Sequence, residues 1–165
     1  MKFRKFFSIL PLFGGILTLI GLFVPSWYSI TSFEENVWMV GIIEHILGSE
    51  SIFDFMPIDF ILPNIVSTII ISIISVILII STYFYLKEKE FRIKFRWIWL
   101  MMGVLEIITM LSYIYLFDIT FSDYLVRTNY PITSFWNIYN FNFGLIIPFI
   151  GGSLAILGVF TNKKE

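Results

Sequence analysis

Cysteine is absent from the 165 residues. Its absence excludes a disulfide, a thiolate-bound zinc and a thiol nucleophile. Histidine is nearly absent too. His45 stands alone, which excludes a multi-histidine metal centre. Charged residues make up only 14%, and no Asn-x-Ser/Thr glycosylation acceptor occurs. What is present is apolar: 58% hydrophobic residues and a mean hydropathy of +0.87. A soluble domain of this size does not carry that much apolar surface.

The apolar residues come in long runs. Residues 61–86, ILPNIVSTIIISIISVILIISTYFYL, contain no charge. About 20 such residues cross the hydrocarbon core of a bilayer, so the chain has room for about four spans. The expected helices are 8–25, 61–86, 97–117 and 144–160. This predicts an all-α membrane protein in one domain: a four-helix transmembrane bundle with a small β-rich extracellular first loop. The first run follows Lys2, Arg4 and Lys5 and resembles a signal peptide. However, Pro25-Ser26-Trp27-Tyr28 stands where a small-residue cleavage site belongs, so an uncleaved helix is expected.

The outer loops are then 26–60 and 118–143, and the inner loop is 87–96. In the first outer loop, residues 27–33 and 37–42 are rich in β-formers and flank the polar Glu34-Glu35-Asn36. They predict a hairpin with its turn at 34–36, carrying Trp27 and Trp38 on one face. Residues 48–57 look acidic and irregular.

Charge orients the chain. Lys2, Arg4, Lys5, Lys87, Lys89, Arg92, Lys94, Arg96, Lys163 and Lys164 all fall on one side, with Glu88, Glu90 and Glu165. The other side has Arg127 alone, against Glu34, Glu35, Glu44, Glu50, Asp54, Asp59, Asp118 and Asp123. Basic loops stay cytoplasmic. A multi-pass protein of the cell membrane is expected, with both termini cytoplasmic. The basic inner loop also suits anionic headgroups, although signalling of topology accounts for it.

Helices in lipid gain nothing from hydrophobic association, so their contact faces use small and polar residues. Each expected helix has such a stripe at steps of three and four: Pro11, Gly14, Thr18, Gly21 and Pro25; Thr68, Ser72, Ser75 and Thr82; Gly103, Glu106, Met110 and Tyr113; Gly144, Pro148, Gly151, Ala155 and Gly158. Packing explains the stripes better than a polar pathway does. Glu106 differs in kind. It lies about 13.5 Å into its helix, where an ionised carboxylate costs a few kcal/mol or more. No Lys, Arg or His shares its depth. A neutral acid hydrogen-bonded between helices is expected, with Ser72, Ser75, Thr18 or a carbonyl of the fourth helix as partner. The functional alternative is a proton or cation site.

Several of these residues resemble the superfamily of claudins, peripheral myelin protein and epithelial membrane proteins. Pro25-Ser26-Trp27 is similar to the Pro-x-Trp after their first helix, and Val37-Trp38 to the Leu-Trp of their first outer loop. Gly103-Val104-Leu105-Glu106 is similar to a Gly-Ile-Phe-Gln element in the third helix of the myelin-protein branch. Gly41 stands where the first loop cysteine of that superfamily would be, so this chain resembles a cysteine-free, prokaryotic or archaeal relative. The resemblance implies four spans and a non-enzymatic role in membrane-protein contact, adhesion or barrier formation.

No cluster of polar groups suggests catalysis, a cofactor or a metal, and His45 beside Glu44 reads as solvated. The expected partners are the lipid bilayer and either a second copy or other membrane proteins, with no nucleic acid. The residues singled out are Trp27, Trp38, Gly103, Glu106 and Gly151. The alternative function is a small transporter or channel component using Glu106.

Overall fold

The structure, a computed structural model, describes residues 6–29, 34–47, 49–87, 92–128 and 135–160. The basic residues at 2–5, the acidic and basic residues at 88–90 and the tail at 161–165 lie outside the described residues. So does the end of the expected first strand, at 30–33. The described chain is mostly helical, with four helices and one small antiparallel sheet.

The order is α1 (Leu10–Gly21), β1 (Trp27–Ser29), β2 (Glu34–Val37), β3 (Ile42–Leu47), β4 (Glu50–Phe55), α2 (Ile58–Lys87), α3 (Arg92–Arg127), a 3₁₀ turn (Phe135–Asn137), β5 (Tyr139–Phe141) and α4 (Phe143–Val159). Helices α2 and α3 are long and apolar enough to cross a membrane, while α1 and α4 are shorter apolar helices. Contacts divide the chain into two compact units. One comprises Met1–Ile20, Ile70–Thr109 and Ile147–Glu165. The other comprises Gly21–Ile69 and Met110–Ile146.

In the first unit, segments of all four helices pack on one another through small residues. A Cβ at Gly14 would come within 2.5 Å of the Gly151 carbonyl oxygen, and one at Gly103 within 2.6 Å of that of Gly152. Adjacent glycines of α4 thus bring two different helices to backbone contact, Gly151 against α1 and Gly152 against α3. Gly15 likewise lies against the Ser75 carbonyl of α2. Ile74, Leu78, Tyr85, Trp99 and Ala155 form the apolar core of this unit. The indole of Trp99 donates to Ser81 Oγ at 3.0 Å.

The second unit carries the sheet, in the order β4-β3-β2-β1-β5 with every neighbouring pair antiparallel. It departs from the expected hairpin in four ways. Residues 34–36 are strand, not turn, and two of the three polar side chains find a partner directly across on β3. Glu35 faces His45, and Asn36 faces Glu44. β1 still pairs with β2, through a link at 30–33 outside the described residues, and a second turn joins β2 to β3 at Gly41, whose φ of +84° suits a residue without a Cβ. The stretch expected to be irregular contains β4, which pairs with β3 along its whole length. Finally, the second loop adds β5 to the edge of β1.

The expected loop 118–143 is also shorter than predicted, since α3 continues to Arg127. Arg127 in the last turn favours that end of the helix dipole. Residues 92–96, expected in the inner loop, form the start of α3.

The helices bury small and polar residues beside apolar ones and leave many large apolar residues exposed. On α2 the buried positions include Asn64, Ser67, Ser75, Ser81 and Thr82, while Ile65, Val66, Ile69, Ile73, Val76 and Ile80 are exposed. The stripe on α1 is buried except for a half-buried Pro25, and the stripes on α3 and α4 are fully buried. On α2 the seam is shifted. Thr68 and Ser72 are only half-buried, and Asn64, Ser67 and Ser81 take the inner positions.

Candidate functional site

Three polar clusters stand out, one in the first unit and two in the sheet-bearing unit. The first surrounds Glu106, which is wholly buried. Its Oε1 lies 2.5 Å from the Thr18 hydroxyl, which also lies 3.0 Å from the Gly14 carbonyl oxygen. A threonine hydroxyl has one proton to donate. With that proton on the Gly14 carbonyl, the contact to Glu106 requires a proton on the carboxyl group, so a neutral acid satisfies both contacts at once. Of the expected partners, Thr18 is the one used. Ser75 instead donates to its own helix, at Ile71 O.

Gly151 makes room for this pair. A Cβ there would overlap the Thr18 hydroxyl and come within 3.0 Å of Glu106 Oε1. Gly103, one turn before Glu106, serves a separate contact with Gly152. The structure therefore brings Glu106 and Gly151 together and assigns Gly103 to the neighbouring glycine. Glu106 Oε2 has no hydrogen-bond partner among the described residues.

The second cluster lies in the sheet-bearing unit. Trp27 is fully buried and forms its hub. Its ring stacks on Phe117 at 5.4 Å and meets Phe135 edge-on at 4.9 Å. A polar chain runs from it: Trp27 Nε1 donates to Tyr113 Oη at 3.1 Å, Tyr113 donates to Asn64 Oδ1 at 2.7 Å, and Asn64 Nδ2 donates to the Phe60 carbonyl at 2.8 Å. This chain ties β1 to α3 and α2.

Trp38 does not share the face of Trp27. The register pairs Trp27 with Val37, which leaves Trp38 in the turn. There its indole donates to the Phe23 carbonyl at 3.3 Å and its ring meets Phe53 at 5.9 Å.

Three strands converge on Glu35. His45 Nδ1 lies 2.9 Å from its Oε1, and the Tyr139 hydroxyl donates to its Oε2 at 2.7 Å. Burial pushes the Tyr139 phenol well above its usual range, and the hydrogen bond to Glu35 and the Glu35 charge push it the same way. These side chains edge a cavity of about 330 Å³ whose other walls include Phe60, Phe117, Phe121 and Tyr124. Sequence reasoning missed this cluster. His45 pairs with Glu35, ten residues away, not with its chain neighbour Glu44, and nothing local links Tyr139 to either. Asn64 carried a signal, as the one amide in the apolar run of α2.

No protein-family model matches this chain, and no curated protein matches it. No group of three His, Cys, Asp or Glu suited to a metal ion occurs among the described residues.

Proposed function

We propose that the protein is a four-span integral membrane protein with both termini cytoplasmic, acting through its extracellular sheet by contact with a second copy or with other membrane proteins. Lipid is the solvent that favours exposed Ile, Val and Leu and polar side chains turned inward. Helix α2 exposes Ile65, Val66, Ile69, Ile73, Val76 and Ile80 and buries Asn64, Ser67, Ser75, Ser81 and Thr82 beside apolar Ile71, Ile74 and Leu78, which supports this reading. The resemblance of Pro25-Ser26-Trp27 and Val37-Trp38 to the claudin superfamily supports the same reading, as does the excess of basic residues on the proposed inner side.

The observation that carries it is β4. This strand ends the sheet, and all six of its residues are exposed, with Phe53 at 62% and Phe55 at 74%. An edge strand offers unpaired backbone groups to an incoming chain, and exposed apolar side chains add contact area. A photo-reactive phenylalanine analogue in place of Phe53, in living cells, should capture a protein partner at a reproducible mass. The same analogue in place of Ile69 should capture lipid. If the Phe53 position captures lipid alone, contact through this edge is wrong.

The unpartnered Oε2 of Glu106 favours a second reading, a proton or cation pathway. Charge-removing substitution separates the two, as developed in the Discussion.

A further inference from the structure

The walls of the cavity in the sheet-bearing unit combine aromatic and ionisable side chains, His45 among them, with Ile43, Met56 and Pro57. Phe121 and Tyr124, both half-buried, supply aromatic surface, with the buried rings of Phe60 and Phe117 packed behind them, and Glu35 and Asp54 supply carboxylates. The rings form one continuous patch. Phe60 lies 5.4 Å from Phe117, 6.2 Å from Phe121 and 5.7 Å from Tyr124, centroid to centroid. An aromatic face is electronegative and attracts a cation placed within about 6 Å of its centroid.

The carboxylates add full charges, and Glu35 is held in place by His45 and Tyr139. The one Lys or Arg of this unit, Arg127, lies 3.5 Å from both Asp59 and Asp123 and does not line the cavity. Eight carboxylates of the same unit, at Glu34, Glu35, Glu44, Glu50, Asp54, Asp59, Asp118 and Asp123, draw cations toward it. A small, strongly hydrated metal ion gains little from aromatic rings. A cation that bears carbon gains from both kinds of wall. At about 330 Å³ the cavity suits a headgroup-sized ligand.

We propose that this cavity binds the ammonium group of a small organic cation, free or carried on a lipid headgroup. Asp54 and Phe55 of β4 also line the cavity, but Phe53 does not, so cross-linking at Phe53 and choline binding are separate readouts and either can fail alone. The test uses full-length protein in nanodiscs of phosphatidylglycerol, which has no ammonium group. Ligand-detected NMR then compares choline with 3,3-dimethylbutanol, its neutral isostere of nearly equal shape. Choline should bind about tenfold more tightly than the isostere.

Asp54→Asn and Phe121→Leu should each weaken choline several-fold. Glu50→Gln, on β4 outside the cavity, should leave it unchanged. Equal binding of choline and the isostere would reduce the cavity to an apolar hole and overturn the proposal, a result that needs no variant to fold. A loss in Glu50→Gln equal to that in Asp54→Asn would also overturn it, since a diffuse field would then suffice. Repeating the titration in phosphatidylcholine nanodiscs identifies the source. Weaker choline binding there means that the headgroup occupies the cavity, and unchanged binding means a free cation.

Discussion

Glu106 is where one side chain separates two functions. Its neutral form satisfies both hydroxyl contacts of Thr18. Glu106→Gln keeps a donor, an acceptor and nearly the same volume, and removes only the carboxyl proton. Hydrogen bonds between membrane helices average about 0.6 kcal/mol and reach about 1.7 kcal/mol. The Gln variant should therefore melt in detergent close to the wild type, and Glu106→Leu should lose stability within that range plus any cost of shape. A transport role predicts the opposite split, with Gln stable but inactive in cells. That outcome would replace the structural reading with the transport one. The similar Gly-x-x-Gln element in the resembling family agrees with a tolerated Gln.

The sheet depends on pairings between elements far apart in sequence. Tyr139 of β5 reaches Glu35 of β2 across 104 positions. Its phenol ionises less readily in the folded chain, because burial and then Glu35 oppose the charge. The unfolded chain gives up that proton near the usual tyrosine value of 10.0, while the folded chain holds it. The contribution of Tyr139 is therefore complete below about pH 10 and declines as pH rises toward the folded value. Tyr139→Phe should lower stability at neutral pH by about 1 kcal/mol, a typical net hydrogen bond. It should also flatten the fall in melting temperature above pH 10. A fall as steep as that of the wild type would show that Tyr139 is not held neutral by its site.

For the whole molecule the decisive property is orientation. Ten bases on one proposed side and Arg127 alone on the other predict in-out-in-out-in. Because the native chain has no cysteine, single substitutions report without background. Ser49→Cys and Ser122→Cys should react with an impermeant thiol reagent in intact cells, and Lys163→Cys only after lysis. Labelling of Lys163→Cys but not Ser49→Cys in intact cells would invert the topology and place the sheet in the cytoplasm. Ser122 is a sensitive probe because α3 runs on to Arg127. At 36 residues the helix is about 54 Å long, against about 30 Å of hydrocarbon.

The sequence alone determined the apolar helices, their charge bias and the small-residue seams on α1, α3 and α4. These follow from local composition and from a period of 3.5 that requires no knowledge of partners. It also marked Glu106 and Gly151, since an acid or a glycine in an apolar run departs from its surroundings. Tertiary structure alone decided that Glu34-Glu35-Asn36 is strand, because a polar strand is stable only with His45 and Glu44 opposite it. It likewise decided that α3 outlasts its apolar stretch and that a second-loop segment completes the sheet. Glu35, His45 and Tyr139 meet through strand register, a relation between distant segments that no window of sequence contains.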